Sequence, residues 1–238
     1  MIGQAITKNS LLLAAFAVTV AAALAITEIS TRDKRDAAIR EVQSQALEEV
    51  VPPELHDNVL LDDYIITTDS EFLTLKLNNK CGGKNGDDKC EKIFIARKAQ
   101  AITAFILPTR APDGYGGSIN SIVGIKLDGS ISGVRVIQHA ETPGLGDKVE
   151  TKKSKWILSF NDKSLQNLSS KEWNVKKDGG IYDQFTGATI TPRAVVKSVH
   201  KALTFFAANK EQLLEQANKS NLDGTAAALE PTANVEEK

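Results

Sequence analysis

From Asn9 to Thr27 the chain carries no charge, and Leu, Ala, Val, Ile and Phe fill most of the positions. Wound as a helix, this run is about 28 Å long, the thickness of a bilayer's hydrocarbon core. It has no polar stripe, which suits a membrane span better than a helix lying on a globular core. Ala23-Leu24-Ala25 has the small-x-small form that a signal peptidase accepts, so a cleaved leader is the alternative. The apolar run continues past that site through Ile26, which favours an uncleaved anchor.

The pattern then changes to one with a polar face. Ala38, Val42, Ala46 and Val50 recur every fourth residue over 34–50, an amphipathic helix that Pro52-Pro53 stops. Short β-rich runs follow at 59–66, 72–77, 92–97 and 101–107, then longer ones at 118–127 and 130–138. Asp128-Gly129 between the last two is a two-residue hairpin signal, so the spacing predicts an antiparallel sheet. Helical periodicity returns at 147–160, through Val149, Trp156, Ile157 and Phe160, and at 192–208, through Val195, Val196, Val199, Leu203 and Phe206. Helices on one face of an antiparallel sheet make an α+β domain. From about Asn218 the chain is polar and low in complexity, which predicts a flexible tail. The expected division is an N-terminal segment (1–9), a transmembrane helix (10–29), a connecting helix (30–53), a folded domain (54–212) and a C-terminal tail (213–238).

Composition narrows the function. Across 238 residues, 29 basic side chains meet 30 acidic ones, leaving a formal charge of −1 and no excess positive field for a phosphate backbone. Nucleic-acid binding is therefore not expected. Two cysteines and three histidines without a CxxC or HExxH spacing give no metal site. Cys81 and Cys90 flank the turn-rich loop 82–89, which a disulfide between its ends would staple in an oxidising compartment. Two free thiols in a flexible loop are the alternative. Orientation is pulled both ways. Arg32, Lys34 and Arg35 after the apolar run, against Lys8 before it, place the C-terminal side in the cytoplasm by the positive-inside rule, a rule that weakens before a long folded domain. The disulfide places it outside.

Two segments carry candidate chemistry. In Tyr182-Asp183-Gln184-Phe185-Thr186-Gly187-Ala188-Thr189-Ile190-Thr191-Pro192-Arg193, Thr191-Pro192 reads as a helix start, with the Thr191 hydroxyl as its cap. Thr189 then lies beside free backbone amides and the positive end of the helix dipole, which favour a phosphate group. Gly187 and Ala188 remove side-chain bulk, so a ligand or modifying enzyme can approach the backbone. An ordinary strand-turn-helix connection with a good cap has the same local pattern. The second segment, His139-Ala140-Glu141-Thr142-Pro143-Gly144-Leu145-Gly146-Asp147-Lys148, leaves the long hairpin through two glycines and a proline. Its amides are free to face a ligand, and the alternation of His139 and Glu141 points them to one side. A solvated loop is the simpler reading. Neither segment has Walker or Rossmann glycine spacing.

Asp183-x-x-Thr186-Gly187-Ala188-Thr189 resembles the D-x-x-[ST]-G-A-T flavinylation signature. His139-x-Glu141-Thr142-Pro143-Gly144-Leu145-Gly146 resembles the companion loop of the same FMN-binding domain. With one N-terminal membrane helix, the order and spacing resemble the G subunit of the Rnf (Rsx) ion-translocating electron-transport complex, from about Ala111 through Val196. The resemblance implies FMN joined by a phosphoester to the Thr189 hydroxyl and installed by a flavin transferase that reads Asp183, Thr186, Gly187 and Ala188. Thr186 would also hydrogen-bond the phosphate. It implies that His139, Glu141, Thr142, Gly144 and Gly146 approach the flavin, with no catalytic residue in this chain. The activating base and metal would come from the transferase, because an isolated threonine hydroxyl is a weak nucleophile. It further implies a single-pass protein of the bacterial inner membrane, a periplasmic domain, and the other membrane, iron–sulfur and flavin subunits of the complex as partners. The C subunit of a sodium-pumping NADH:quinone reductase shares the signature, and an anchored binding or assembly module without flavin is a third reading.

Overall fold

A computed structural model describes residues 2–67 and 91–228 of the chain. The Cys81 to Cys90 loop, the 72–77 run and residues 229–238 lie outside the described residues. The chain divides into two units, Met1–Gln43 and Ser44–Lys238.

The first unit is helical from Ile2 onward and belongs to α1 (Ile2–Glu48). Its apolar stretch, mean hydropathy 2.3, leaves Leu12, Phe16, Leu24 and Ile26 exposed, with no part of the window buried against protein. An apolar surface of that length is compatible with water only when something apolar covers it, and its length matches a bilayer. The charged stretch that follows pairs with itself, Arg35 with Glu28 at 3.1 Å and Arg32 with Asp36 at 4.0 Å. Ala38 and Val42 are exposed here, so the amphipathic reading of 34–50 holds only for its C-terminal end. Periodicity reports which residues share a face; it does not report whether anything covers that face.

Among the described residues, the second unit is built on a five-stranded antiparallel sheet, β1 (Tyr64–Thr67), β2 (Glu91–Lys98), β3 (Ala101–Ala111), β4 (Ile119–Lys126) and β5 (Ile131–Gln138), paired in that order. The β4–β5 turn falls at Asp128-Gly129, where Gly129 has φ +86° and the Asp128 carboxylate accepts from both the amide and the hydroxyl of Ser130. Alternation along each strand separates two apolar faces. Phe105, Leu107, Val123 and Ile125 face the long helix α2 (Ile190–Ala228) and pack with Val195, Val199, Leu203 and Phe206. Ala104, Ile106 and Ile122 face the other way and are covered by Ala46, Leu47, Val50 and Val51 at the end of α1. Gly124 and Gly133, paired across β4 and β5, open a notch for Val50, since a Cβ on either would come within 2.7 Å of it.

Three expectations are corrected. The 59–66 run is strand only from Tyr64, because the Asn58 side chain takes up the backbone of Ile95 and Arg97 and the Asp63 carboxylate, holding the preceding residues in turns. The 147–160 run is two separate 3-10 turns, Asp147–Val149 and Trp156–Phe160, divided by the lysine-rich residues 150–155; the second inserts Trp156, Ile157 and Phe160 into the core. The C-terminal tail starts later than residue 213: α2 continues to Ala228, and Leu213 and Ala217 are buried against the core.

Candidate functional site

Helix α2 begins one residue after Thr189. The Thr189 carbonyl accepts the Arg193 amide at 3.4 Å, so Ile190 and Thr191 form the first turn and their amides have no partner within the helix. Pro192 follows in that turn, where its missing N–H costs nothing. Thr189 is half-buried, and Thr186 and Gly187 beside it are exposed. Gly187 adopts φ +79°, a conformation that disfavours side chains, and turns the chain sharply between Phe185 and Ala188. The Ala188 amide closes this turn on the Phe185 carbonyl at 3.1 Å.

The turn rests on an aromatic floor. Phe185 meets Trp156 edge-on at 5.1 Å, Trp156 meets Phe160 at 5.4 Å, and Phe160 stacks on Tyr182 at 4.5 Å. The Trp156 indole N–H donates to the Asp183 carbonyl at 2.8 Å, tying the signature to this floor. Tyr182 is buried, and desolvation pushes its phenol well above the usual tyrosine range, so it stays neutral. The Asp183 carboxylate is exposed and pairs with Lys176 at 2.6 Å.

The loop after β5 lies next to this turn: a Cβ on Gly187 would sit 3.5 Å from the Leu145 side chain. Its residues divide. Thr142, Pro143, Gly144 and Leu145 are exposed, whereas Glu141 and Gly146 are buried. One Glu141 carboxylate oxygen accepts the Gly116 amide at 3.0 Å, and the other accepts the hydroxyl of Thr191, which is 0% exposed. His139 is half-buried; its Nδ1 accepts the Glu141 amide at 3.1 Å and its Nε2 lies 2.7 Å from Glu150. That arrangement selects the tautomer with the proton on Nε2, donated to the Glu150 carboxylate. His139 and Glu141 therefore serve different partners.

The sequence placed the Thr191 hydroxyl on the free amides of its own helix. It is engaged instead by a carboxylate fifty residues away, a long-range pairing that local pattern does not reveal. Also missed was the turn at Gly114-Tyr115-Gly116-Gly117. A Cβ on Gly116 would fall 1.8 Å from the Ala140 carbonyl oxygen, so only glycine lets this turn close on the loop. The glycine cluster was the available signal.

A groove of about 490 Å³ opens along α2 from Ile190 past Arg193 and Lys197 to His200, floored by Trp173. Its charges are paired: Arg193 with Asp178 at 2.5 and 2.7 Å, and Lys197 with Asp113 at 3.0 Å. The Arg193 guanidinium holds the Asp178 carboxyl below the usual range, and burial against Trp173, 5.4 Å away, lowers the His200 imidazole.

A helix start with an exposed first residue, Ile190, a half-buried threonine at its flank and an exposed glycine-bearing loop alongside suit the docking of a phosphate-bearing ligand. The segment that holds both loops, residues 114–204, matches the FMN-binding domain family model. Residues 1–50 match the model of the RnfG N-terminal region. Proteins named as the G subunit of the ion-translocating oxidoreductase complex are similar over nearly the whole chain. The one from Shewanella amazonensis is 43% identical over 88% of this chain and 92% of its own length, that from Pseudomonas aeruginosa 42% over 89% and 93%, and that from Vibrio vulnificus 41% over 90% and 95%. The chain belongs to the family of the G subunit of the ion-translocating oxidoreductase (Rnf) complex.

Proposed function

We propose that this chain is the membrane-anchored electron-transfer subunit of an Rnf complex and carries FMN in a phosphoester to Thr189. The supporting observation is the position of Thr189, half-buried at the start of α2 with the amide of the exposed Ile190 beside it, within the intact Asp183 to Thr189 signature. The FMN supplies the redox chemistry when bound. The chain fixes its place. The exposed Ile190 amide beside Thr189 is placed to receive the phosphate, Gly187 gives access to the threonine, and Thr142, Gly144 and Leu145 offer an exposed edge along which the remainder lies. Glu141 and Gly146 are buried beneath that edge. The match of residues 1–50 to the RnfG N-terminal region favours the Rnf subunit over the C subunit of a sodium-pumping NADH:quinone reductase.

In this reading α1 crosses the inner membrane once, residues 1–9 are cytoplasmic, and the second unit is periplasmic with a Cys81–Cys90 disulfide. The exposed apolar surface of α1 supports the span. A separate flavin transferase installs the FMN. Electrons pass to the other flavin and iron–sulfur subunits, while ion movement is coupled elsewhere in the complex. A covalent tether prevents loss of the carrier to a dilute compartment, and the anchor raises its effective concentration beside its partners.

The test is ultraviolet fluorescence of the denatured, electrophoresed chain after export and co-expression with a flavin transferase. The wild-type band fluoresces and Thr189→Ala is dark. A dark wild-type band, with transferase activity verified on a control substrate, overturns the proposal and leaves the anchored binding module.

A further inference from the structure

We infer that Glu141 is a positioning residue for flavin attachment, acting through Thr191 to hold the first turn of α2 and hence Thr189; the inference rests on the reading of Thr189 as the flavin-bearing residue. Burying a carboxylate is costly unless its oxygens are hydrogen-bonded, and at 5% exposure both oxygens of Glu141 are taken, by the Gly116 amide and the Thr191 hydroxyl. These partners lie 25 and 50 residues away along the chain, so one side chain ties the 114–117 turn, the 139–146 loop and the start of α2 together. The space is cut to fit it from two sides. A Cβ on Gly114 would sit 2.8 Å from one Glu141 oxygen, and a Cβ on Gly146 would sit 2.8 Å from the other and 3.0 Å from the Thr191 hydroxyl. The Glu141 backbone is fixed as well, its amide donating to His139, whose far nitrogen is held by Glu150.

Thr191 is two residues beyond Thr189, in the first turn of α2. Fixing its hydroxyl sets the phase of the helix start and therefore the direction of the Thr189 hydroxyl. The Glu141 carboxylate, near the positive end of the α2 dipole, also gains from that field. With a protein partner on each oxygen and its surface buried, Glu141 does not touch the flavin; the exposed neighbours Thr142 and Leu145 can. Its work is done by geometry, and glutamine can reproduce that geometry, its carbonyl accepting from Gly116 and its amide donating to the Thr191 hydroxyl.

The experiment follows the rate of covalent flavin attachment from FAD by purified transferase to the full-length chain in detergent, for wild type, Glu141→Ala, Glu141→Gln, Thr191→Val and the Glu141→Ala/Thr191→Val double variant. Folding is followed separately by tryptophan fluorescence and thermal melting. Glu141→Ala and Thr191→Val should each slow attachment on the order of tenfold to a hundredfold, the scale of an ångström-sized misplacement. The double variant should be no slower than the slower single variant, because both break one bond. Glu141→Gln should attach at close to the wild-type rate. Should Glu141→Ala not fold, Thr191→Val and Glu141→Gln carry the same test. Wild-type rates in folded Glu141→Ala or Thr191→Val, multiplicative effects in the double variant, or a folded Glu141→Gln as slow as Glu141→Ala would each overturn the inference. A wild-type chain that takes up no flavin defeats the parent reading instead.

Discussion

Thr189 and Thr191 differ by two positions, yet one is half-buried at the flank of a helix and the other is sealed inside it on a carboxylate. The difference comes from what the neighbouring loops bring to each. His200, further along the same helix, illustrates a residue whose environment sets its titration. Burial beside Trp173 lowers its imidazole, so the folded chain takes up a proton there less readily than the unfolded one. Its contribution to stability is therefore complete above the unfolded value of about 6.5 and is lost as pH falls through that value towards the lowered one. Asp178 acts in a lower window. Its carboxyl is held down by Arg193, so its contribution is present above the ordinary carboxylate range and disappears as pH falls through the depressed value. Thermal midpoints measured from about pH 8 to about pH 3 should show both declines, and His200→Gln should remove the upper one while leaving the lower. An unchanged upper decline in His200→Gln would contradict this assignment. Lys197, Asp113, Arg193 and Asp178 share the groove with His200, so ionic strength is held constant.

At the scale of elements, α2 does more than cover the sheet. It presents Thr189 at its start and buries Leu213 and Ala217 near the other end of its packed length. Leu213→Ala should cost about 2–5 kcal/mol in denaturant unfolding monitored by the buried Trp156 and Trp173, the range for a core leucine. A change below about 0.5 kcal/mol, the scale of a surface substitution, would return this region to the tail. On the opposite face, Gly133→Ala brings a Cβ within 2.7 Å of the Val50 carbonyl oxygen, backbone that yields little. About 1–3 kcal/mol of destabilisation is expected from such overpacking, read in the same unfolding experiment, with flavin attachment retained in the folded fraction.

For the whole molecule, the division at Gln43 separates an apolar helix from a unit that contains both sides of its own sheet core. Removing residues 2–43 and supplying an independent export signal should give a protein found in the soluble fraction that still takes up the flavin proposed for Thr189. Persistent membrane association of that protein would show a second membrane-binding surface on the folded unit.

Much was settled by local chemistry. An uncharged run of bilayer length, a hairpin at Asp128-Gly129, alternating β-rich runs and a helical stripe at Val195, Val199 and Leu203 each report conditions satisfied within a few residues of chain. The signature around Thr189 is equally local, and a helix did begin beside it. Pattern failed where apolar spacing imitated a helix across the lysines of 150–155, and where a polar composition concealed the burial of Leu213 and Ala217. Only the tertiary structure could decide which face of the end of α1 is covered, that Gly124 and Gly133 clear room for Val50, and that Glu141 turns inward to Thr191 while Thr142 to Leu145 remain exposed. Each of these depends on groups far apart in the chain, and a buried polar atom's partner is fixed by which segments the packing brings together, not by its neighbours in sequence.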